Sequence, residues 1–274
     1  MSDASVLADV DERPVAWREA GSGDVVLFLH GIGHSRIAWA RQLEDLSDRW
    51  RCVAWDLPGF GASEPLEAMT FPAIAAAAVS LLDRLGVHSA HLVGLSFGGQ
   101  QALHVAVGHP DRVRSLVLAD TSPAFGTNGM TREEWIDQRL EPLRSGLTPA
   151  DIAESVMAGV SGPDFSGPDF DLAVAAMGRL TPQGYEDAVR GLPTHDVRDA
   201  LATIDVPTLV VVGELDPATP PGVARLLADG IPDARLVELP GIGHLTPNEA
   251  PREFNRLVRE FLDAQDPMPG GVSV

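Results

Sequence analysis

Ser96 stands in "VGLSFGG" (93–99), with Gly94 two residues before it and Gly98 two after. A serine hydroxyl is a weak nucleophile at neutral pH, and it acts when an imidazole takes its proton and a carboxylate orients the imidazole. Asp216 in "VGELDPATPP" and His244 in "PGIGHLTPNEAP" supply both groups. The chemistry they could carry is attack on a carbonyl carbon and transfer of its acyl group. Glu214 and Asp120 are the competing acids, and Asp216 is the expected one. Such attack also needs two donors for the developing oxyanion. The Phe97 amide, directly after the serine, is one, and the Ile32 amide in the glycine-bearing "HGIGHS" (30–35) is the other. His30 is expected to brace that turn and His34 to line a substrate pocket. With no carboxylate or cysteine beside them, the two histidines make a poor metal pair. No metal is expected there.

Each group needs an element to place it. The runs "VVLFLH", "CVAWD", "HLVGL", "SLVLAD", "TLVVVG" and "RLVELP" are short and continuously apolar, which predicts parallel strands covered on both faces. Helical stretches lie between them, near 37–48, 71–86, 98–108, 219–229 and 248–264, so a doubly wound α/β domain is expected. The alternating "VLADVD" and "VAWREA" predict an antiparallel hairpin ahead of it. Ser96, Asp216 and His244 each fall just past a predicted strand. "HLVGLSFGGQQALHVAV" leaves no room for a loop between strand and helix, and a turn that sharp needs very small residues two positions either side of the serine. Gly94 and Gly98 meet that need.

Residues 125–196 break the alternation with several helical runs and no strand. They predict an inserted helical cap, with the core split into 1–124 and 197–274. Sites in open α/β sheets lie at the C-terminal strand edge, so the insertion should roof the pocket. Trp135, Met157, Phe170 and Met177 are its candidate lining residues, Trp135 foremost. The insertion holds Arg132, Arg139, Arg144, Arg179 and Arg190 against twelve acids. Each arginine is expected on a solvated face, paired with an acid, which favours a substrate with a largely apolar acyl part.

Composition closes off other classes. The net charge of −19 repels phosphate backbones and anionic lipid, so neither nucleic acid nor a membrane surface is an expected partner. There is no lysine, hence no Schiff-base chemistry and no phosphate-loop lysine. The single cysteine, Cys52, lies in an apolar run and reads as a buried thiol. The acidic "MSDASVLADVDERP" is unlike a signal peptide, the longest apolar run is too short to span a bilayer, and a cytoplasmic location is expected. The last residues, "DPMPGGVSV", read as a loose tail.

The motifs "HGIGHS", "DLPGFGAS", "GLSFGG", "VGELDPATP" and "GIGH" resemble the α/β-hydrolase superfamily over nearly all of 15–264, and the chain order Ser, Asp, His is that superfamily's. "GLSFGGQQALHVAVGHPDRVRSLVLADTSPAFG", "TREEW" and "THDVRD" are most similar to 3-oxoadipate enol-lactonase-type hydrolases. That resemblance implies Ser96 as nucleophile, Asp216 as acid, His244 as base, and Ile32 and Phe97 as oxyanion amides. It implies an esterase or lactonase without a cofactor. Dehalogenases and epoxide hydrolases of the superfamily carry aspartate where this chain has Ser96. Carbon–carbon bond hydrolases, cofactor-free perhydrolases and triad-dependent lyases stay open, as does a ligand-binding receptor, which would differ by an unreactive serine.

Overall fold

The computed structural model describes residues 7–266. The expected tail from Pro267 onward and the first six residues of the N-terminal segment lie outside them. One eight-stranded sheet runs through the molecule. Its strands are β1 (Ala8–Val10), β2 (Trp17–Ala20), β3 (Val25–Leu29), β4 (Arg51–Trp55), β5 (Ala90–Leu95), β6 (Val113–Ala119), β7 (Thr208–Gly213) and β8 (Ala234–Leu239). Their order across the sheet is β1-β2-β4-β3-β5-β6-β7-β8. The β1–β2 and β2–β4 pairs are antiparallel, and every other pair is parallel.

Between strands lie α1 (Ala40–Leu46), α2 (Phe71–Arg84) and α3 (Phe97–Gly108), then α4 (Arg132–Arg144), α5 (Pro149–Val160), α6 (Pro168–Met177) and α7 (Pro182–Gly191). These last four all fall between β6 and β7, where the sequence has no strand pattern. Their starts are written locally. Thr131 with Glu134 and Thr148 with Asp151 form reciprocal capping boxes, and prolines open α5, α6 and α7. The chain closes with α8 (Pro221–Gly230), α9 (Thr246–Glu249) and α10 (Pro251–Gln265). No helix among the described residues is long and apolar enough to cross a membrane.

Strands β3 to β7 are buried almost throughout, as their continuous apolar runs require. Trp39 couples the sheet to α10, with its ring 5.2 Å from Phe28 and 6.5 Å from Phe254. Cys52 sits in this core, and burial pushes its thiol up. Two expectations differ in detail. Strand β8 is half-exposed because it is the sheet's edge. The helix expected over 248–264 breaks at Ala250, since Pro251 disfavours helical backbone in the residue before it.

The strand order also says where a ligand can sit. From β3 the chain goes to β4 on one side, then crosses to β5 on the other, so the loops leaving β3 and β5 diverge. Divergent loops open a crevice at the strands' C-terminal ends.

Candidate active site

Ser96 occupies the turn between β5 and α3 with φ 54° and ψ −115°, a conformation that side-chain-bearing residues rarely take. Strain of this kind costs on the order of 1–3 kcal/mol and persists only where the surroundings over-determine it. Here the Ser96 amide donates to the Ala119 carbonyl at 2.8 Å, and Thr121 Oγ1 donates to the Ser96 carbonyl at 2.7 Å. The flanking glycines are sterically required. A Cβ on Gly94 would lie 2.4 Å from the Gly98 carbonyl oxygen, and one on Gly98 only 1.9 Å from that of Leu29.

The loops after β7 and β8 bring the other two groups to this turn. Ser96 Oγ lies 2.9 Å from His244 Nε2, and His244 Nδ1 lies 2.8 Å from Asp216 Oδ2. With Asp216 ionised, Nδ1 carries the proton and Nε2 is free to accept from the serine. Asp216 is itself fixed: its Oδ1 accepts from the Ala218 and Thr219 amides at 2.7 and 2.9 Å, and its Oδ2 from the Thr219 hydroxyl at 2.7 Å. Burial alone would raise its pKa, yet the charge and hydrogen bond of His244, with those from Thr219, hold it below the usual value. Burial would lower the His244 pKa, but Asp216 outweighs that and raises it; Asp120 adds to the rise and Arg139 opposes it.

Both competing acids are committed elsewhere: Glu214 Oε2 accepts from the Gly241 amide at 2.8 Å, and Asp120 is buried under the loops. Its Oδ1 accepts from the Gly213 amide at 3.0 Å and its Oδ2 from the Thr246 amide and hydroxyl at 2.9 and 2.7 Å. Burial, then the nearby Asp216 charge, pushes its pKa up to about 7. The carboxylate that meets the imidazole is that of Asp216.

The turn after β3 closes the other side. A Cβ on Gly31 would be 3.5 Å from that of Ser96, so this backbone lies against the serine. The Ile32 amide has no hydrogen-bond acceptor among the described residues. Phe97 is the first residue of α3, so its amide is among the donors a helix start leaves free. His30 braces the turn, donating from Nδ1 to the Gly31 carbonyl at 2.8 Å and accepting at Nε2 from the Leu57 amide at 3.0 Å. His34 lines the cavity, and burial, with the charges of His30 and His244, brings its pKa down to about 3. It is neutral at physiological pH. No group of three or more metal-binding side chains occurs among the described residues.

Ser96 and His244 open onto a cavity of about 260 Å³, small and mostly apolar in its walls. Trp135 and Met157 stand in its wall. Phe170 does not; its ring packs on Phe165 at 5.5 Å, and Met177 is buried behind Gly33 instead. Trp135 is held by its Nε1, which donates to the Val189 carbonyl at 2.9 Å.

The expectation that every arginine of the insertion lies on a solvated face fails at one position. Arg132, Arg144, Arg179 and Arg190 are exposed, with Arg144 on Asp137 and Arg190 on Glu186. Arg139 is half-buried and lines the cavity, its guanidinium 4.7 Å from the centre of the Trp135 ring. It forms no salt bridge among the described residues. Spacing could have paired it with Trp135, four residues earlier, but not told which face of α4 turns inward. Thr219 is a second residue that sequence reasoning missed; its place three residues after Asp216 is the available signal.

Comparison with known proteins agrees with this architecture. A family model for the α/β hydrolase fold matches residues 24–251, and the chain belongs to that family. It is a hydrolase, related to esterases and lactonases. It is 32% identical over 259 residues to a pimeloyl-[acyl-carrier protein] methyl ester esterase of Chromobacterium violaceum, covering 89% of this chain and 96% of that one. It is 29% identical over 241 residues to 3-oxoadipate enol-lactonase 1 of Acinetobacter baylyi, covering 86% and 88%. Among solved structures, a thermophilic esterase from Thermogutta terrifontis superposes with a TM-score of 0.83 at 28% identity, over 95% of this chain and 99% of that one.

Proposed function

We propose that the chain is a serine hydrolase that cleaves a small carboxylic ester or lactone through an acyl-enzyme. The observation that carries this reading is the unbroken relay from Ser96 Oγ through His244 to Asp216, opening onto the cavity. Ser96 Oγ attacks the carbonyl carbon while His244 Nε2 takes its proton. Asp216 stays ionised and holds the imidazolium, and the Ile32 and Phe97 amides receive the oxyanion. The imidazolium then gives its proton to the leaving oxygen, which departs as an alcohol or, from a lactone, as the far end of the opened ring. Water, deprotonated by His244, repeats the steps on the acyl-enzyme and frees Ser96. The insertion 125–196 serves as the cap, and the enzyme works in the cytoplasm without nucleic-acid or membrane partners.

The small apolar cavity supports a short, largely apolar acyl group. Arg139 favours a second reading, an acyl group that ends in a carboxylate, because a half-buried guanidinium without an acid partner among the described residues is a strong anion site. One substrate panel separates them: short aryl esters, neutral lactones and a carboxylate-bearing lactone, at equal ionic strength, with Ser96→Ala as the blank. Neutral substrates are expected to lie within about a hundredfold of the anionic one in kcat/KM, a factor worth roughly 2.7 kcal/mol of transition-state discrimination. A larger anionic preference, lost in Arg139→Met, establishes the second reading. Turnover of none of them, or carbon–carbon cleavage or peracid formation in their place, rejects ester hydrolysis.

A further inference from the structure

The loop that carries His244 is joined to the insertion through one carboxylate. Glu249, the last residue of α9, accepts on Oε2 from the Gly243 amide at 2.9 Å and from the Gly162 amide at 2.8 Å. Its Oε1 accepts from the Leu245 amide at 3.0 Å. Gly243 and Leu245 flank His244, and Gly162 lies two residues past the end of α5. A backbone bond runs along the same contact, from the His244 amide to the Val160 carbonyl at 2.9 Å. The two segments leave no room for side chains. A Cβ on Gly243 would lie 2.3 Å from the Gly162 nitrogen, and one on Gly162 2.9 Å from the Gly241 carbonyl oxygen. On its other side α5 gives Val156, Met157 and Val160 to the cavity wall. One helix thus touches the substrate space and the backbone of His244.

We propose that Glu249 is a positioning residue that locks the His244 loop to α5, so that the cavity wall and the imidazole shift as one body. The proposal rests on reading His244 as the general base. Hydrogen bonds from three amides to one carboxylate are charge-assisted, and they fix both neighbours of the histidine. Glu249 does not line the cavity, so its loss falls on the geometry of the base and not on substrate contacts. That geometry is exacting, since proton transfer needs about 2.6–3.2 Å between heavy atoms and a displacement near 1 Å costs on the order of a hundredfold.

The test compares the wild type with Glu249→Ala, Glu249→Gln and Gly162→Ala. It measures the rate at which a small fluorophosphonate labels Ser96, and kcat and KM for a short aryl ester, each at a fixed interval below that variant's melting temperature. Glu249→Ala is expected to slow labelling and lower kcat at least tenfold with KM inside threefold. Glu249→Gln, which keeps one acceptor oxygen, falls between it and the wild type. Gly162→Ala keeps the Glu249 side chain but sets a methyl group 2.8 Å from its Oε2, wedging the contact open, and it too slows labelling. Should either alanine variant label within twofold of the wild type, or raise KM with kcat unchanged, the proposal is overturned. If an alanine variant does not fold, the remaining variants decide by the same criterion. A wild-type Ser96 that the probe never labels removes the general-base reading, and this proposal with it.

Discussion

His244 is the residue on which the neighbouring charges converge. Burial would keep its imidazole neutral, the Asp216 and Asp120 carboxylates favour the cation, and the balance raises its pKa above the ordinary 6.5. The free base is the reactive form in attack, so kcat/KM should climb with pH through an apparent pKa above that ordinary value. Replacing Asp216 by Asn removes the largest raising influence. We expect the limb of the pH–rate profile to move toward acid and kcat/KM to fall on the order of 10⁴-fold, the loss such a change gives in other triads. A limb already below 6.5 in the wild type would contradict the charge pattern. Ser96, Asp216 and His244 were legible in the sequence because each is tied to a backbone demand: glycines that only a tight elbow requires, and two strand-end loops. Arg139 and Glu249 were not. Whether a helical arginine turns inward depends on how α4 rotates against its neighbours, and the amides that donate to a carboxylate in "TPNEAP" depend on how close the backbone after α5 comes.

The elements show the same division between local and tertiary causes. Strand positions followed from apolar runs and helix starts from capping residues, but the break at Ala250 and the half-exposed β8 came from a proline and a sheet edge. The roots of the insertion carry an interaction that no local pattern marked. His195, near its C-terminal end, donates from Nε2 to the Ser122 carbonyl at 2.9 Å, while its Nδ1 faces His104 Nε2 at 3.1 Å. Phe71 stacks on His104 with ring centres 4.2 Å apart. Burial brings both histidines down to about 4. Below about pH 6.5 the unfolded chain binds protons that the folded one refuses, so stability is lost as pH falls from 6.5 toward 4. Melting temperature followed over that window should fall less steeply in His104→Gln, which removes one titrating ring and keeps a donor side chain. Parallel curves for the two proteins would rule this pair out as a source of acid sensitivity.

Across the whole molecule, strand order, elbow and insertion act together. The diverging loops after β3 and β5 open the crevice, the elbow places Ser96 at its mouth, and residues of α4, α5 and α7 line it. That a chain with net charge −19 turns one arginine of its insertion toward an apolar cavity is a property of the assembled fold, invisible in its overall charge. The proposed acyl transfer through Ser96 leaves a covalent intermediate that can be caught. Its most direct test is intact-mass measurement, with peptide mapping, of protein quenched within milliseconds of mixing with an activated aryl ester. One acyl group per chain is expected, on the peptide containing Ser96, formed in the burst and absent from Ser96→Ala. An acyl group on any other residue, or product released in a burst with Ser96 unmodified, would contradict it.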